Sequence, residues 1–111
     1  PQSDRKDTYV AELNGKARKG RDEFLLDRLL IAAVIERRGA ERFELIAHHL
    51  EDAQLANFYR NLAKSEARHW VLFVNLASGN YPENQIVSRF NELSEIENDI
   101  LSRLPLSARP H

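Results

Sequence analysis

Apolar residues recur along most of this chain at alternating intervals of four and three, the pattern of helices that bury one stripe against a partner. Between Asp22 and Leu50 the stripe runs Leu29, Ala33, Glu36, Ala40, Phe43, Ala47 and Leu50, and a second runs Leu55, Tyr59, Leu62, Glu66, His69, Phe73 and Leu76. Asp22 and Asp52 stand where an N-cap or first-turn acid belongs, and Ser78-Gly79-Asn80-Tyr81-Pro82 offers a glycine C-cap followed by a proline stop. The pattern predicts long helices over 22–50 and 52–78, joined at Glu51 by a link so short that the two lie antiparallel. A third helix, over 83–104, buries Ile86, Phe90, Leu93, Ile96 or Glu97, Ile100 and Leu104. Residues 1–21 read as a short helix, roughly Asp7 to Lys16, and a basic connector, and the tail after Pro105 reads as irregular. The expected fold class is all-α.

With 111 residues the chain has room for one domain and one core. Absence of Met, and a first residue that is Pro1, predict a piece of a longer chain. Cysteine is also absent, which excludes disulfides, thiolate metal sites and cysteine nucleophiles and leaves nitrogen and oxygen donors for any metal. No apolar run approaches the ~20 residues of a membrane span and no signal pattern is visible, so a soluble, cytoplasmic protein is expected. The net charge of −1 does not announce a polyanion binder. Residues 1–21 nevertheless carry six basic against three acidic side chains, and Lys16, Arg18, Lys19 and Arg21 form either a phosphate-binding patch or a solvated charge run.

Three ionisable residues occupy stripe positions where Leu or Ala belongs: Glu36, Glu66 and His69. Burying a charge without a partner costs several kcal/mol, so each must be paired, hydrogen-bonded or bound to a cation. Glu66 and His69 form Glu-x-x-His, the i, i+3 pair that di-iron bundles place on two of their four helices, each of the other two supplying one Glu. Glu36 lies fifteen residues before Glu51 and Glu66 fifteen after it, so the two stand at the same height and face each other. Glu41 falls about 7.5 Å lower at ~1.5 Å per residue and off the stripe, a weaker ligand candidate. The competing account pairs the stripe charges with Arg37, Arg38 or Arg68 and needs no metal. His48 and His49 suit the C-terminal end of their helix rather than a ligand role. Tyr59 and Phe73 flank the charged layer as packing residues, Tyr59 with a hydroxyl that can donate beside it. No nucleophile elbow and no glycine-rich phosphate loop occurs.

The wording of the two helices, Leu29-Leu30-Ile31-Ala32-Ala33-Val34-Ile35-Glu36 with Arg38 and Glu41-Arg42-Phe43, then Phe58-Tyr59-Arg60 and Ser65-Glu66-Ala67-Arg68-His69, resembles the bacterial tRNA hydroxylases that act on 2-methylthio-isopentenyl-adenosine. The similarity runs from about Tyr9 to Leu104. It implies a ferritin-like helical bundle, a non-haem centre of two iron ions, dioxygen as co-substrate, tRNA as substrate and an electron donor as partner. Glu36, Glu66 and His69 then become iron ligands, and Arg38 or Arg68 can hold a ligand carboxylate from behind. The family carries two further long helices upstream, with another Glu and another Glu-x-x-His, whereas here Leu45 and Ile46 stand three residues before His48 and His49. Arg37, Gly39, Ala40 and Trp70 also depart from the family's usual residues. Half the ligand set must therefore come from the remainder of a longer chain or from a second copy, since two copies supply four Glu and two His. Two other functions are compatible with the same residues: a dimeric ferritin-like iron-binding or ferroxidase protein, and a metal-free helical interaction module.

Overall fold

A computed structural model describes the backbone of residues 2–104 and the side chains of residues 8–104. The described chain forms four helices in the order α1 (Gln2–Asn14), α2 (Arg21–His49), α3 (Ala53–Ser78) and α4 (Glu83–Arg103), an all-α bundle as the periodicity predicts. The three long helices begin and end within about one residue of the expected bounds, and α1 starts earlier and stops sooner than expected. The irregular tail expected after Pro105 lies outside the described residues. No helix among the described residues is long and apolar enough to cross a membrane.

Local chemistry sets the ends. The Asp52 carboxylate accepts the Leu55 N–H at 3.0 Å, capping α3. Gly20 is the N-cap of α2, so Asp22 acts as a first-turn acid. Gly79 closes α3 in the right-handed conformation instead of the left-handed glycine cap, and the N–H groups of Asn80 and Tyr81 both return to the Ala77 carbonyl at 3.0 Å. The Tyr81 hydroxyl then donates to the Asp22 carbonyl at 2.7 Å, fastening the α3–α4 turn to the start of α2.

α2 packs most extensively on α3 and next on α4. Its two long faces do different work. Leu26, Leu30, Ile31 and Val34 belong to the core shared with Tyr9 and Leu13 of α1 and with Ile86, Leu93 and Ile100 of α4. Asp27 lies fully buried inside that core. Its carboxylate accepts from the Arg89 guanidinium at 2.8 and 3.0 Å, and from the Arg18 backbone and side chain at 2.9 to 3.1 Å. One acid thus ties the connector and α4 to α2.

The other face of α2 meets α3 through small residues. Ala33 and Ala47 of α2 and Ala56 and Ala63 of α3 are buried outside the core just named, and Ala77 of α3 is buried within it. This corrects the α3 stripe, which is rotated by one residue from the expected register. Tyr59, Glu66 and Phe73 alternate with the 56, 63, 70, 77 row, while Leu55 and Leu76 are exposed on the flank beside His69. Alanine wins the seam because it lets two helix backbones approach, and of the neighbouring row Leu62 is half-buried while Leu55, His69 and Leu76 remain outside.

Candidate metal centre

Glu36 descends from α2 and Glu66 and His69 from α3, and one ligand atom from each lies within 4.8 Å of the others. Both carboxylates are half-buried and the imidazole is exposed. Matching heights on antiparallel helices bring the two carboxylates together, and the i, i+3 spacing turns His69 to their side. A cavity of about 190 Å³ opens beside them, lined by Glu36, Glu66, Tyr9, Arg38, Arg42 and Phe43 among others. That is room for several water-sized groups.

Gly39 makes this possible. A Cβ at that position would stand 3.0 Å from Glu66 Oε2, tighter than ordinary van der Waals contact, and 3.6 Å from its carboxyl carbon. The lone glycine inside α2 thus clears the space that the Glu66 carboxylate occupies. Two carboxylates and an imidazole, with no sulfur, form a donor set suited to a first-row divalent ion such as ferrous iron.

The other sequence candidates are dispersed. Glu41 is exposed and outside the cluster. Arg38 turns to α4, where its Nε and Nη2 donate to Glu97 Oε2 and Oε1 at 3.2 and 3.0 Å. Arg37 donates to Ser94 at 3.2 Å and lies 4.9 Å over the Phe90 ring, which also stacks on Trp70. Arg68 is exposed and has no ion pair among the described residues. Tyr59 packs against Phe43 and Phe58 at ring distances of 5.9 and 5.5 Å. In the connector, Arg18 is taken up by Asp27 and Glu23, whereas Lys16, Lys19 and Arg21 are exposed.

Sequence reasoning missed the far wall of the cavity. The Tyr9 hydroxyl, buried, donates to Glu97 Oε2 at 2.5 Å, so a tyrosine of α1 and an arginine of α2 share one buried carboxylate of α4. Burial, and then Glu97, push the Tyr9 phenol well above the usual range, so it remains a protonated donor. The alternation of α4 places Glu97 on its buried side, which was the available signal. Arg42 was also missed: it lines the cavity, its buried Nε has no hydrogen-bond partner among the described residues, and its guanidinium lies 4.8 Å over the Phe43 ring.

Residues 3–111 match the family described as tRNA-(MS[2]IO[6]A)-hydroxylase (MiaE). The chain is 39% identical over 85 residues to the tRNA 2-(methylsulfanyl)-N(6)-isopentenyladenosine(37) hydroxylase of Pseudomonas putida, an alignment covering 77% of this chain and 40% of that one. It is 39% identical over 77 residues to the enzyme of the same name from Salmonella typhimurium, covering 69% of this chain and 28% of the relative. The matched part of the chain therefore spans less than half the length of either curated relative. No solved structure matches it.

Proposed function

Because the chain belongs to the MiaE family of tRNA hydroxylases, we propose that it supplies one side of the active site of a hydroxylase acting on an isopentenylated adenosine in tRNA. The observation that carries the reading is the convergence of Glu36, Glu66 and His69, one donor atom each within 4.8 Å, beside a cavity. Two iron ions held there would supply activation of dioxygen and, with two electrons from a donor, conversion of a carbon–hydrogen bond to an alcohol.

The chain's own residues set the conditions for that chemistry. Glu36 and Glu66 bring two negative charges to a half-buried position, where attraction for a cation is stronger than at a fully solvated surface. His69 offers an imidazole nitrogen donor at the open edge. Gly39 leaves the Glu66 carboxylate free to adjust its position, and Phe43 and Ile35 supply the apolar part of the cavity wall. Behind them, the Tyr9–Glu97–Arg38 network braces α1 and α4 against α2. Lys16, Lys19 and Arg21 remain available for phosphate contacts on the connector.

Three donors are half of the four-Glu, two-His set of di-iron bundles. The other half comes from outside the described residues, either from further helices of a longer chain or from a second copy of this one. The exposed apolar flank of α3, with Leu55, Phe58, Leu72 and Leu76 on the side of His69, is the side that such an addition covers. Intact and solution masses separate the two cases. For function, mass analysis of tRNA nucleosides from cells lacking the protein should show loss of the hydroxylated nucleoside and accumulation of its unhydroxylated precursor. An unchanged nucleoside profile refutes the hydroxylase reading, and iron bound without a nucleoside change points instead to a ferroxidase-like role.

A further inference from the structure

We propose that the outer face of α3, built on Arg60, Lys64 and Arg68, is the surface along which this chain holds the phosphate backbone of its RNA substrate. The proposal rests on the tRNA reading above. The three cations follow one another at four-residue spacing, so they stand on one side of the helix at steps of about 6 Å along its axis, comparable to the separation of successive phosphates on a stacked strand. All three are exposed, and none makes an ion pair among the described residues.

Most other arginines of the described chain are employed in holding the fold. Arg18 and Arg89 hold Asp27, Arg38 holds Glu97, Arg37 reaches Ser94 and Phe90, and Arg103 bridges Glu12 and Asp99. The α3 cations have no such task. A solvated helix face gains from opposite charges three or four residues apart, yet no acid stands at those positions from Arg60, Lys64 or Arg68. The neighbours at that spacing include the cations themselves, an arrangement that is mildly destabilising on an isolated helix. A polyanion laid along the face relieves that repulsion.

Charge over the whole chain has the same sense. The net charge of −1 conceals a polar molecule. α3 has three bases and a single acid, Glu66, which belongs to the candidate metal centre. α4 carries Glu83, Glu92, Glu95, Glu97 and Asp99 against only Arg89 and Arg103. Asn61 lies among the α3 cations and Asn57 and Asn75 flank them, exposed amides able to donate to phosphate oxygens. Lys64 also borders a groove whose α2 wall bears Glu41 and Glu44, and those carboxylates keep phosphates out of the groove and on the outer side of α3. The α3 stripe therefore differs from the connector cations, one of which is already spent on Asp27.

The test is binding of tRNA to the full chain across a salt series. The triple variant Arg60→Gln, Lys64→Gln, Arg68→Gln is compared with Lys16→Gln, Lys19→Gln, Arg21→Gln and with the single variant Lys64→Gln. At ~0.7 counterions released per phosphate contact on a single strand, the α3 triple variant should lower the log–log salt slope by about 2 and weaken binding on the order of 100-fold near 0.1 M salt. The single variant should lower the slope by about 0.7, and thermal stability and iron content should be kept in both. An α3 triple variant with the wild-type slope and affinity overturns the proposal, as does a loss confined to the connector variant. Absence of salt-dependent tRNA binding by the wild-type protein is a different result, which overturns the tRNA reading itself.

Discussion

If the proposed iron centre is right, replacing Gly39 with alanine should make the protein more stable and weaken iron binding. Gly39 lies in the interior of α2, with no positive φ, so an alanine there adopts the same backbone conformation without strain. Glycine in a helix interior is about 0.5–1 kcal/mol less favourable than alanine. At about 4–8 °C per kcal/mol for a domain of roughly 100 residues, the substitution should raise Tm by about 2–8 °C. Against this stands the contact of the new Cβ with Glu66 Oε2 at 3.0 Å. The carboxylate is the far end of a flexible side chain, so it yields by a few tenths of an ångström at small cost to folding. A metal ligand tolerates such a shift poorly, and changes to groups that position a ligand typically cost 10–100-fold in affinity. Thermal unfolding of the metal-free protein and an iron titration on the same preparation read the two effects separately. A lower Tm would refute the helix-interior argument. A higher Tm with iron affinity unchanged within twofold would show that the space cleared by Gly39 does not serve Glu66 as a ligand.

Glu66→Ala should abolish iron binding while Glu41→Ala keeps it, because only Glu66 lies in the three-donor cluster; iron analysis of the two purified variants decides. Asp27→Ala leaves Arg89 charged and buried without its partner, at a cost of about 3–5 kcal/mol and a fall in Tm of at least roughly 10 °C. Burial alone would raise the Asp27 carboxyl, but hydrogen bonds from Arg89 and Arg18 outweigh it and hold the group at about 2, below its ordinary 3.8. The depressed value means that about 2 kcal/mol of stability is present above pH 4 and lost as pH falls from there through 2, and acid unfolding of the Asp27→Ala variant should lack that component. Tyr9→Phe removes one of the hydrogen bonds to the buried Glu97 and should cost about 1.5–3 kcal/mol in a denaturant melt. Because Tyr9 is pushed up by burial and by Glu97, the same variant should leave the phenolate absorbance gained between about pH 9 and 11 as in the wild type.

The long helices were legible because four-three spacing and the Asp52 cap are local signals, and each survives in the folded chain. The rotation of α3 was not. Rows 55, 62, 69, 76 and 56, 63, 70, 77 both alternate properly with Tyr59, Glu66 and Phe73, and residue size favoured the leucines, whereas close approach of two helices favours alanine. Tyr9 and Glu97 meet across 88 residues of sequence, and no periodicity within either helix encodes that meeting. Asp27 was equally hidden: its partners come from the connector and from α4, and only the tertiary arrangement makes a buried aspartate acceptable.

One signal in α2 was present and explains where the candidate centre stands. From Phe24 to Ile35 the helix is apolar nearly all round, the mark of an element covered on two sides, and its buried residues Leu26, Leu30, Ile31, Ala33 and Val34 fall there. From Glu36 onward, Glu-Arg-Arg-Gly-Ala-Glu-Arg breaks that pattern, and the contacts with α4 change from apolar packing to the polar ones of Arg37 and Arg38. Glu36 is the first residue past this change. A carboxylate one turn earlier would sit in the continuous core, where only a fixed partner such as Arg89 makes it tolerable, as Asp27 shows. A carboxylate two turns later would be solvated like Glu44 and hold a cation weakly. At the boundary, opposite Glu66 and beside the space that Gly39 clears, it is half-buried and borders a cavity, the setting that the proposed metal centre requires.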